Sequence, residues 1–217
     1  MINRRHFTVG MLAASMAAAS LPMLVKAQDS GEAVAILFDS LQSPFWVTSF
    51  EVLKEKAVAA GWTPLEAISN LDDNKQFEQV QSMIQRKVVG IIIVQTDSNA
   101  VIPAIREANA AGIPMVHFNR PPAASDATSV AVQADNRAIM KSTVEALLDI
   151  AKAKGGKYQA AILIGDLGDQ NAIQRRDGFF DVVDQNKDLV EVVSQISTEW
   201  NADKAFADLT NALQANP

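Results

Sequence analysis

The chain has 217 residues, of which 48% are hydrophobic and 20% charged, so it is long enough for one or two globular domains and too apolar to be disordered. Its net charge of −6 argues against a nucleic-acid partner, which normally needs a basic patch. The absence of cysteine excludes disulfides, thiol nucleophiles and cysteine–zinc sites, and we expect neither a metal nor a cofactor.

Residues 1–27 have the three parts of an export signal peptide. Basic Arg4 and Arg5 are followed by an uncharged, Ala-rich run from Val9 to Val25 and by a small-residue ending. The paired arginines resemble a twin-arginine signal, although the residue before them departs from the usual Ser or Thr. A short membrane anchor is the alternative, because the apolar run is at the lower limit for a membrane span. Cleavage near Gln28 would leave a more acidic mature chain.

Short runs rich in Val and Ile alternate with amphipathic stretches along the rest of the chain. Strands are predicted at Ala33–Phe38, Thr63–Ser69, Val89–Val94, Pro114–Phe118, Ser129–Val132, Gln159–Ile164 and Leu189–Ile196. Helices are predicted at Pro44–Ala60, Asp73–Lys87, Asn99–Ala111, Asn136–Lys154, Asn171–Asn186 and Ala202–Ala215. The consecutive apolar residues 91–94 are typical of a parallel strand that is covered on both faces. The sequence therefore predicts an α/β fold with a doubly wound parallel sheet.

Polar and aromatic residues follow most of the predicted strands. They lie at Asp39 to Trp46, Gln95 to Ser98, Asn119 to Pro121, Gly165 to Gln170 and Ser197 to Trp200. Because ligands bind outside the carboxyl ends of the strands in open parallel sheets, these residues are the candidates for a binding site. Their types predict a cleft with flat apolar faces and hydrogen-bonding groups around them.

Several of these residues also have a purely structural interpretation. Trp46 shares helical spacing with Phe50 and could belong to the core. Gln95 and Asn119 could be turn or capping residues, and Arg120 could be a surface cation or the partner of an acidic loop. These alternatives stay open at the level of the sequence.

Other polar residues point away from a catalytic site. His117 lies inside an apolar strand and is interpreted as a core histidine with satisfied hydrogen bonds, while Arg175 and Arg176 are interpreted as the start of a solvated helix face. No two glycines lie two or four positions apart, which excludes the glycine-rich dinucleotide motif and the serine-hydrolase motif. No pair of carboxylates has a spacing that indicates general acid–base catalysis. We therefore expect that the protein is not an enzyme.

Four segments together resemble the periplasmic sugar-binding proteins of the ribose-binding type, the ABC-transporter substrate-binding proteins with a type 1 periplasmic-binding fold. They are Ala35 to Trp46, Gly90 to Asp97, Gly112 to Arg120 and Arg175 to Phe179, in the order in which the family has them. The resemblance covers about residues 31–217. It implies two α/β lobes that close on a ligand, a periplasmic location, a monomeric state and delivery of the ligand to an ABC permease in the inner membrane.

The resemblance also implies a set of ligand-binding residues: aromatic rings that stack on a sugar, an Asn-Arg pair that holds ring hydroxyls, and further polar contacts. The set is Ser43, Phe45, Trp46, Gln95, Asn119, Arg120 and Trp200. The ligand arginine that the family has in its second lobe falls at Ile173, which donates no hydrogen bond, so a sugar or polyol other than ribose is expected. Arg175 matches a second family arginine, which is usually more structural.

The charges of the strand-end loops predict a neutral ligand. These loops hold Asp39, Asp97, Asp166 and Asp169 against Arg120 alone, whereas a strongly anionic ligand should need more than one cation. An alternative is a periplasmic signal receptor, for an autoinducer or in chemotaxis, that uses the same cleft. A regulator of the lactose-repressor type shares the fold, but it needs a basic helix-turn-helix head where this chain has an export signal.

The domain organisation follows from the same resemblance. We expect a first ligand-binding lobe over residues 31–134, a crossing near Gln133, and a partial second lobe over residues 135–217 with only two strands. The family normally adds more strands to this lobe and crosses back to complete the first. The sequence therefore predicts that the second lobe is truncated.

Overall fold

The computed structural model describes residues 32–216, so the signal peptide predicted at residues 1–27 lies outside the described residues. Seven strands and six helices succeed one another along the described part of the chain, and they alternate except that β5 follows β4 with no helix between them. The strands are β1 (Ala33–Phe38), β2 (Thr63–Ile68), β3 (Gly90–Ile93), β4 (Met115–Phe118), β5 (Val130–Val132), β6 (Tyr158–Ile164) and β7 (Val190–Ser197). The helices are α1 (Pro44–Ala59), α2 (Asp73–Gln85), α3 (Ile102–Ala110), α4 (Asn136–Lys154), α5 (Gln170–Val183) and α6 (Ala202–Ala215). The predicted succession of strands and helices is confirmed.

Strands β1 to β5 form one parallel sheet in the order β2-β1-β3-β4-β5. Strand β1 lies inside this sheet: Ala35 pairs with Leu65 on one side and with Ile91 on the other. Because helices cover both faces, five of the six β1 residues are buried, as the consecutive apolar residues predict. This sheet and helices α1 to α3 are called the first lobe below.

The strand order places an open crevice above the first sheet. The connection that leaves β1 runs to β2 on one side, and the connection that leaves β3 runs to β4 on the other. The loops after β1 and β3 therefore separate at the carboxyl edge of the sheet. A doubly wound sheet provides its ligand site at this point.

Strands β6 and β7 form a second parallel sheet, with Tyr158 paired to Val190. Helices α4 and α5 pack against each other beside it, and their core includes Val144, Leu148 and Val182. A Cβ on Gly178 would lie 2.4 Å from the carbonyl oxygen of Arg137, so the close approach of these helices depends on that glycine. This sheet and helices α4 to α6 are called the second lobe below.

Local signals explain where the elements begin and end. The Ser43 hydroxyl and the Asp135 carboxylate accept hydrogen bonds from the first turns of α1 and α4, which is how N-cap residues stabilise a helix. Gly61 and Gly112 follow α1 and α3 with φ angles of 86° and 72°, a conformation that glycine adopts without a Cβ clash. The fold class is confirmed, whereas the lobe boundary near residue 134 stays a prediction. Within residues 32–216, none of the helices has the length and apolar character needed to cross a membrane.

Candidate functional site

A cavity of about 590 Å³ lies between the carboxyl ends of the two sheets and is lined by both lobes. Six of the seven predicted ligand-binding residues line it: Ser43, Phe45, Trp46, Asn119, Arg120 and Trp200. A hollow of about 650 Å³ lies at the amino ends of β6 and β7. We assign the site to the first cavity, because ligands of open parallel sheets bind at the carboxyl ends of the strands.

Arg120 joins the two lobes at the base of this cavity. Its Nη1 donates to Asp39 Oδ2 at 2.5 Å and to the carbonyl oxygen of Gln95 at 3.3 Å, so it bridges the loops after β1 and β3. Its Nε lies 3.1 Å from Oδ2 of Asp169, which comes from the second lobe. The side chains of Arg120, Asp39 and Asp169 are 7%, 0% and 2% exposed. The interpretation of Arg120 as a surface cation is therefore wrong.

Burial and charge act in opposite directions on the two carboxylates. Burial raises the pKa of both Asp39 and Asp169 above 3.8, while the positive charge of Arg120 opposes the rise in each. Each carboxylate also accepts a backbone hydrogen bond, from the N–H of Ser40 at 2.7 Å and from that of Asn171 at 2.8 Å. The carboxylates are thus held by one guanidinium and by two fixed peptide groups.

Aromatic rings from both lobes line the cavity. Phe45 and Trp46 lie in the first turn of α1, and their ring centroids are 4.8 Å apart in an edge-to-face arrangement. Trp200 follows β7 in the second lobe. The Arg120 guanidinium carbon lies 5.2 Å from the ring centroid of Trp46 and 6.0 Å from that of Trp200. The three rings offer the flat apolar faces that the sequence predicts.

The position of Trp200 depends on a glycine at the end of β6. A Cβ on Gly165 would lie 2.2 Å from the Trp200 ring, so no larger residue fits there without a shift. Glu199 and Trp200 both have positive φ angles, 53° and 56°, which residues other than glycine adopt rarely. The backbone after β7 is therefore strained at the place where it presents the indole ring to the cavity.

Asn119 occupies a strained turn on the opposite side. Its φ angle is 68°, and the N–H of Arg120 donates to the carbonyl oxygen of Phe118 at 2.8 Å, which closes a three-residue turn. The N–H of Asn119 donates to the carbonyl oxygen of Val132 at 2.8 Å and so anchors this turn to β5. The turn directs two consecutive polar residues toward the cavity.

Gln95 lies beneath the site and does not line the cavity. Its side chain is buried, and its Oε1 lies 2.9 Å from Nδ1 of His117. Burial lowers the pKa of His117 from 6.5 to about 4, so this histidine is neutral near pH 7. His117 is a core residue, as predicted, but its Nε2 has no hydrogen-bond partner among the described residues, so its hydrogen bonds are not all satisfied.

The second lobe contributes residues that the predicted set lacks. Asp169, Asn171 and Arg175 line the cavity. The interpretation of Arg175 as part of a solvated helix face is wrong, because its Nε donates to Asn136 Oδ1 at 2.8 Å. Asp169 lies in the loop after β6, so the strand-end rule covers it, whereas Asn171 lies in the first turn of α5, beyond the predicted loop. The side-chain roles of both arise from contacts with the other lobe.

The charge of the cavity also differs from the sequence-based count. Asp97 and Asp166 do not line the cavity: their carboxylates accept backbone hydrogen bonds, from Asn99 at 2.7 Å and from Gly168 at 2.7 Å. The described lining holds two carboxylates and two guanidinium groups. The expected excess of carboxylates is wrong, and the lining is balanced instead.

The chain belongs to the family of periplasmic binding protein domains, whose model matches residues 34–217. It is 29% identical over 210 residues to the D-apiose import binding protein of Actinobacillus succinogenes, an alignment that covers 95% of this chain and 66% of that protein. This confirms the predicted family resemblance.

Solved structures show the same likeness. A solute-binding protein of an ABC transporter from Mycobacterium smegmatis, solved with bound glycerol, is 30% identical with a TM-score of 0.76, and the match covers 86% of this chain and 63% of that one. A periplasmic solute-binding protein from Actinobacillus succinogenes, solved with bound D-allose, is 26% identical with a TM-score of 0.75, covering 86% and 66%. The chain thus spans about two thirds of the length of the relatives that it matches.

Proposed function

We propose that this protein is the solute-binding component of an ABC importer that captures a neutral carbohydrate or polyol. The observation that carries this proposal is the cavity itself. Three aromatic rings from two lobes surround a guanidinium that bridges one buried carboxylate in each lobe. The cavity volume of about 590 Å³ suits a small ligand that both lobes can contact at once.

The chemistry of the lining matches that of a sugar. The apolar C–H faces of a sugar ring can pack against Phe45, Trp46 and Trp200, while its hydroxyl groups can pair with Asn119 and Arg120. The balance of two carboxylates and two guanidinium groups supports a neutral ligand, because a net anion would upset that pairing. Binding in this way requires neither a covalent nor a metal bond.

The contacts between the lobes support a closing motion around the ligand. The Ser98 N–H donates to the carbonyl oxygen of Gly168 at 3.0 Å, and the Gln170 N–H donates to the Ser98 hydroxyl at 3.2 Å. A ligand that contacts both lobes would add to these few hydrogen bonds and stabilise the closed arrangement. The closed, loaded form is the one that a permease would recognise.

The location of the protein follows from the same role. The signal peptide predicted at residues 1–27, of the twin-arginine type, would export the chain, which would act as a periplasmic monomer and deliver its ligand to a permease in the inner membrane. No nucleic-acid partner is expected, because the net charge is −6.

Calorimetry with a panel of small molecules tests the proposal. The neutral arm contains D-ribose, D-allose, xylitol and glycerol, and the anionic arm contains ribose 5-phosphate and succinate. We expect at least one neutral compound to bind with a micromolar Kd, about −8 kcal/mol. Incubation of the same compounds with the protein should leave them unchanged. Tight binding to the anionic arm alone, or turnover of a sugar, would contradict the proposal.

A further inference from the structure

Four polar side chains form a continuous chain of hydrogen bonds from α5 to the cavity. Arg175 Nε donates to Asn136 Oδ1 at 2.8 Å, and Asn136 Nδ2 donates to Asn171 Oδ1 at 2.9 Å. Asn171 Nδ2 then donates to Oδ1 and to the backbone carbonyl oxygen of Asn119, both at 3.0 Å. Asn136 and Asn171 are buried, so water does not compete for these bonds.

The donor-to-acceptor direction of this series of hydrogen bonds is determined at both of its ends. A guanidinium can only donate, so Asn136 must turn its oxygen toward Arg175 and its NH₂ group toward Asn171. A backbone carbonyl can only accept, so Asn171 must turn its NH₂ group toward Asn119. A further carbonyl, that of Ala134, accepts from Asn136 Nδ2 at 3.2 Å and favours the same orientation. Reversal of either amide would place oxygen against oxygen.

The same logic determines which group Asn119 offers to the cavity. Its Oδ1 is engaged by Asn171, and its Nδ2 has no partner among the described residues although Asn119 lines the cavity. We propose that the chain Arg175–Asn136–Asn171 orients Asn119 so that the binding site offers an N–H donor here and recognises a ligand oxygen as acceptor.

In this proposal Arg175, Asn136 and Asn171 are positioning residues for Asn119. Arg120, the next residue, is also only a donor. Two consecutive residues therefore present donors to the cavity, so the site selects two ligand oxygens that offer lone pairs at this end. This inference rests on the proposed function for the identity of the ligand, but the orientation of Asn119 is a property of the protein alone.

Hydrogen exchange of the side-chain amides, measured by NMR on the ligand-free protein, tests the orientation directly. We expect the NH₂ protons of Asn136 and Asn171 to exchange slowly with water and those of Asn119 to exchange fast. Slow exchange at Asn119 together with fast exchange at Asn171 would overturn the proposal, whether or not the protein binds sugar.

The variant Asn171→Asp sharpens the test, because a carboxylate of the same shape still accepts from Asn136 but cannot donate to Asn119. Asn119 should then rotate, donate to the new carboxylate and turn its oxygen toward the cavity. We expect its NH₂ protons to become protected in this variant. The matched control is Asn186→Asp, since Asn186 Nδ2 donates to the carbonyl oxygen of Val182 at 2.8 Å and lies outside the cavity lining.

Calorimetry with D-ribose, D-allose, xylitol and glycerol supplies the second readout. Asn119→Asp and Asn171→Asp each replace the N–H donor that faces the cavity by an oxygen acceptor. Each variant should weaken binding of the compound that binds by about ten- to a hundredfold. The control Asn186→Asp should change the affinity by less than about twofold. Unchanged affinity in both variants would overturn the inference. If the expected exchange pattern is observed but no sugar binds, only the proposed function is rejected. If a sugar binds but the exchange pattern is absent, only the orientation of Asn119 is rejected.

Discussion

The two lobes supply the cavity in different ways. In the first lobe the residues that contact the cavity rest on a sheet with a closed core, in which Ile36, Leu37 and Phe38 have no exposed surface. In the second lobe the described sheet has two strands, and α6 has no buried residue while Phe206 is 76% exposed. The first lobe therefore supports its part of the site on a closed core. The described part of the second lobe has less packing of this kind and presents its part through hydrogen bonds and the strained loop around Trp200.

A matched pair of phenylalanines tests this difference and should give the largest effect. Phe38 contacts Phe50 with ring centroids 5.0 Å apart, and its ring is stacked 6.2 Å from that of Phe118. Phe38→Ala should lower the free energy of unfolding by about 3–5 kcal/mol, because it leaves a cavity in a closed core. Phe206→Ala should change it by less than about 0.5 kcal/mol. Urea denaturation measures both, and equal losses would show that the lobes do not differ in this way.

The loss of folding stability at acid pH should come mainly from His117 in the core of the first lobe. Burial lowers the pKa of His117 to about 4 from 6.5. Between these values the unfolded chain binds a proton that the folded chain does not, so stability falls as the pH drops from about 6.5 to about 4. The loss is about 3 kcal/mol for a single group with this shift.

The variant His117→Gln isolates this contribution from that of the buried carboxylates. The raised pKa values of Asp39 and Asp169 have the opposite effect on stability at low pH, since these carboxylates take up protons more readily in the folded state than in the unfolded state. Glutamine does not titrate and can keep a hydrogen bond to Gln95. Urea denaturation at a series of pH values should therefore show less loss on acidification for the variant. The same loss in both proteins would place the acid sensitivity elsewhere.

Two tryptophans of nearly equal exposure give the smallest of the three effects and separate binding from stability. Trp200 is 40% exposed and lines the cavity, whereas Trp62 is 42% exposed and precedes β2 at the other end of the first sheet. Trp200→Ala should weaken binding of the neutral compound that binds by about ten- to a hundredfold, through loss of a stacking face. Trp62→Ala should change it by less than about twofold. If both variants weaken ligand binding equally in calorimetry, Trp200 is not part of the binding site.

Much of the first lobe could be predicted from local signals. The runs of Val and Ile depend on neighbours in sequence, and the structure places the five strands of this lobe within one residue of their predicted bounds. The Ser43 cap and the glycines after the helices are local signals of the same kind. The strand-end rule also locates most of the cavity lining, because parallel strands bring their carboxyl ends to one edge. These inferences succeed because they require no knowledge of which distant residues meet.

The errors fall where distant residues decide the outcome. Arg120 pairs with Asp39 across 81 residues, and Asn171 reaches Asn119 across 52. Gln95 follows a strand end like the other candidates, yet its side chain turns inward to His117. No local pattern distinguishes these cases.

The sequence by itself determined the α/β class, the order of the elements, the family and the edge of the sheet where the site lies. The class, the order and the edge depend on hydrophobic periodicity and on turn chemistry, which act over a few residues, whereas the family follows from the resemblance of four segments. Only the tertiary structure decided that Arg120 is buried between carboxylates of two lobes, that the lining is balanced in charge, and which atom Asn119 offers to the cavity. Such properties arise because folding removes these groups from water and leaves each only the partners that the two lobes bring within hydrogen-bond distance.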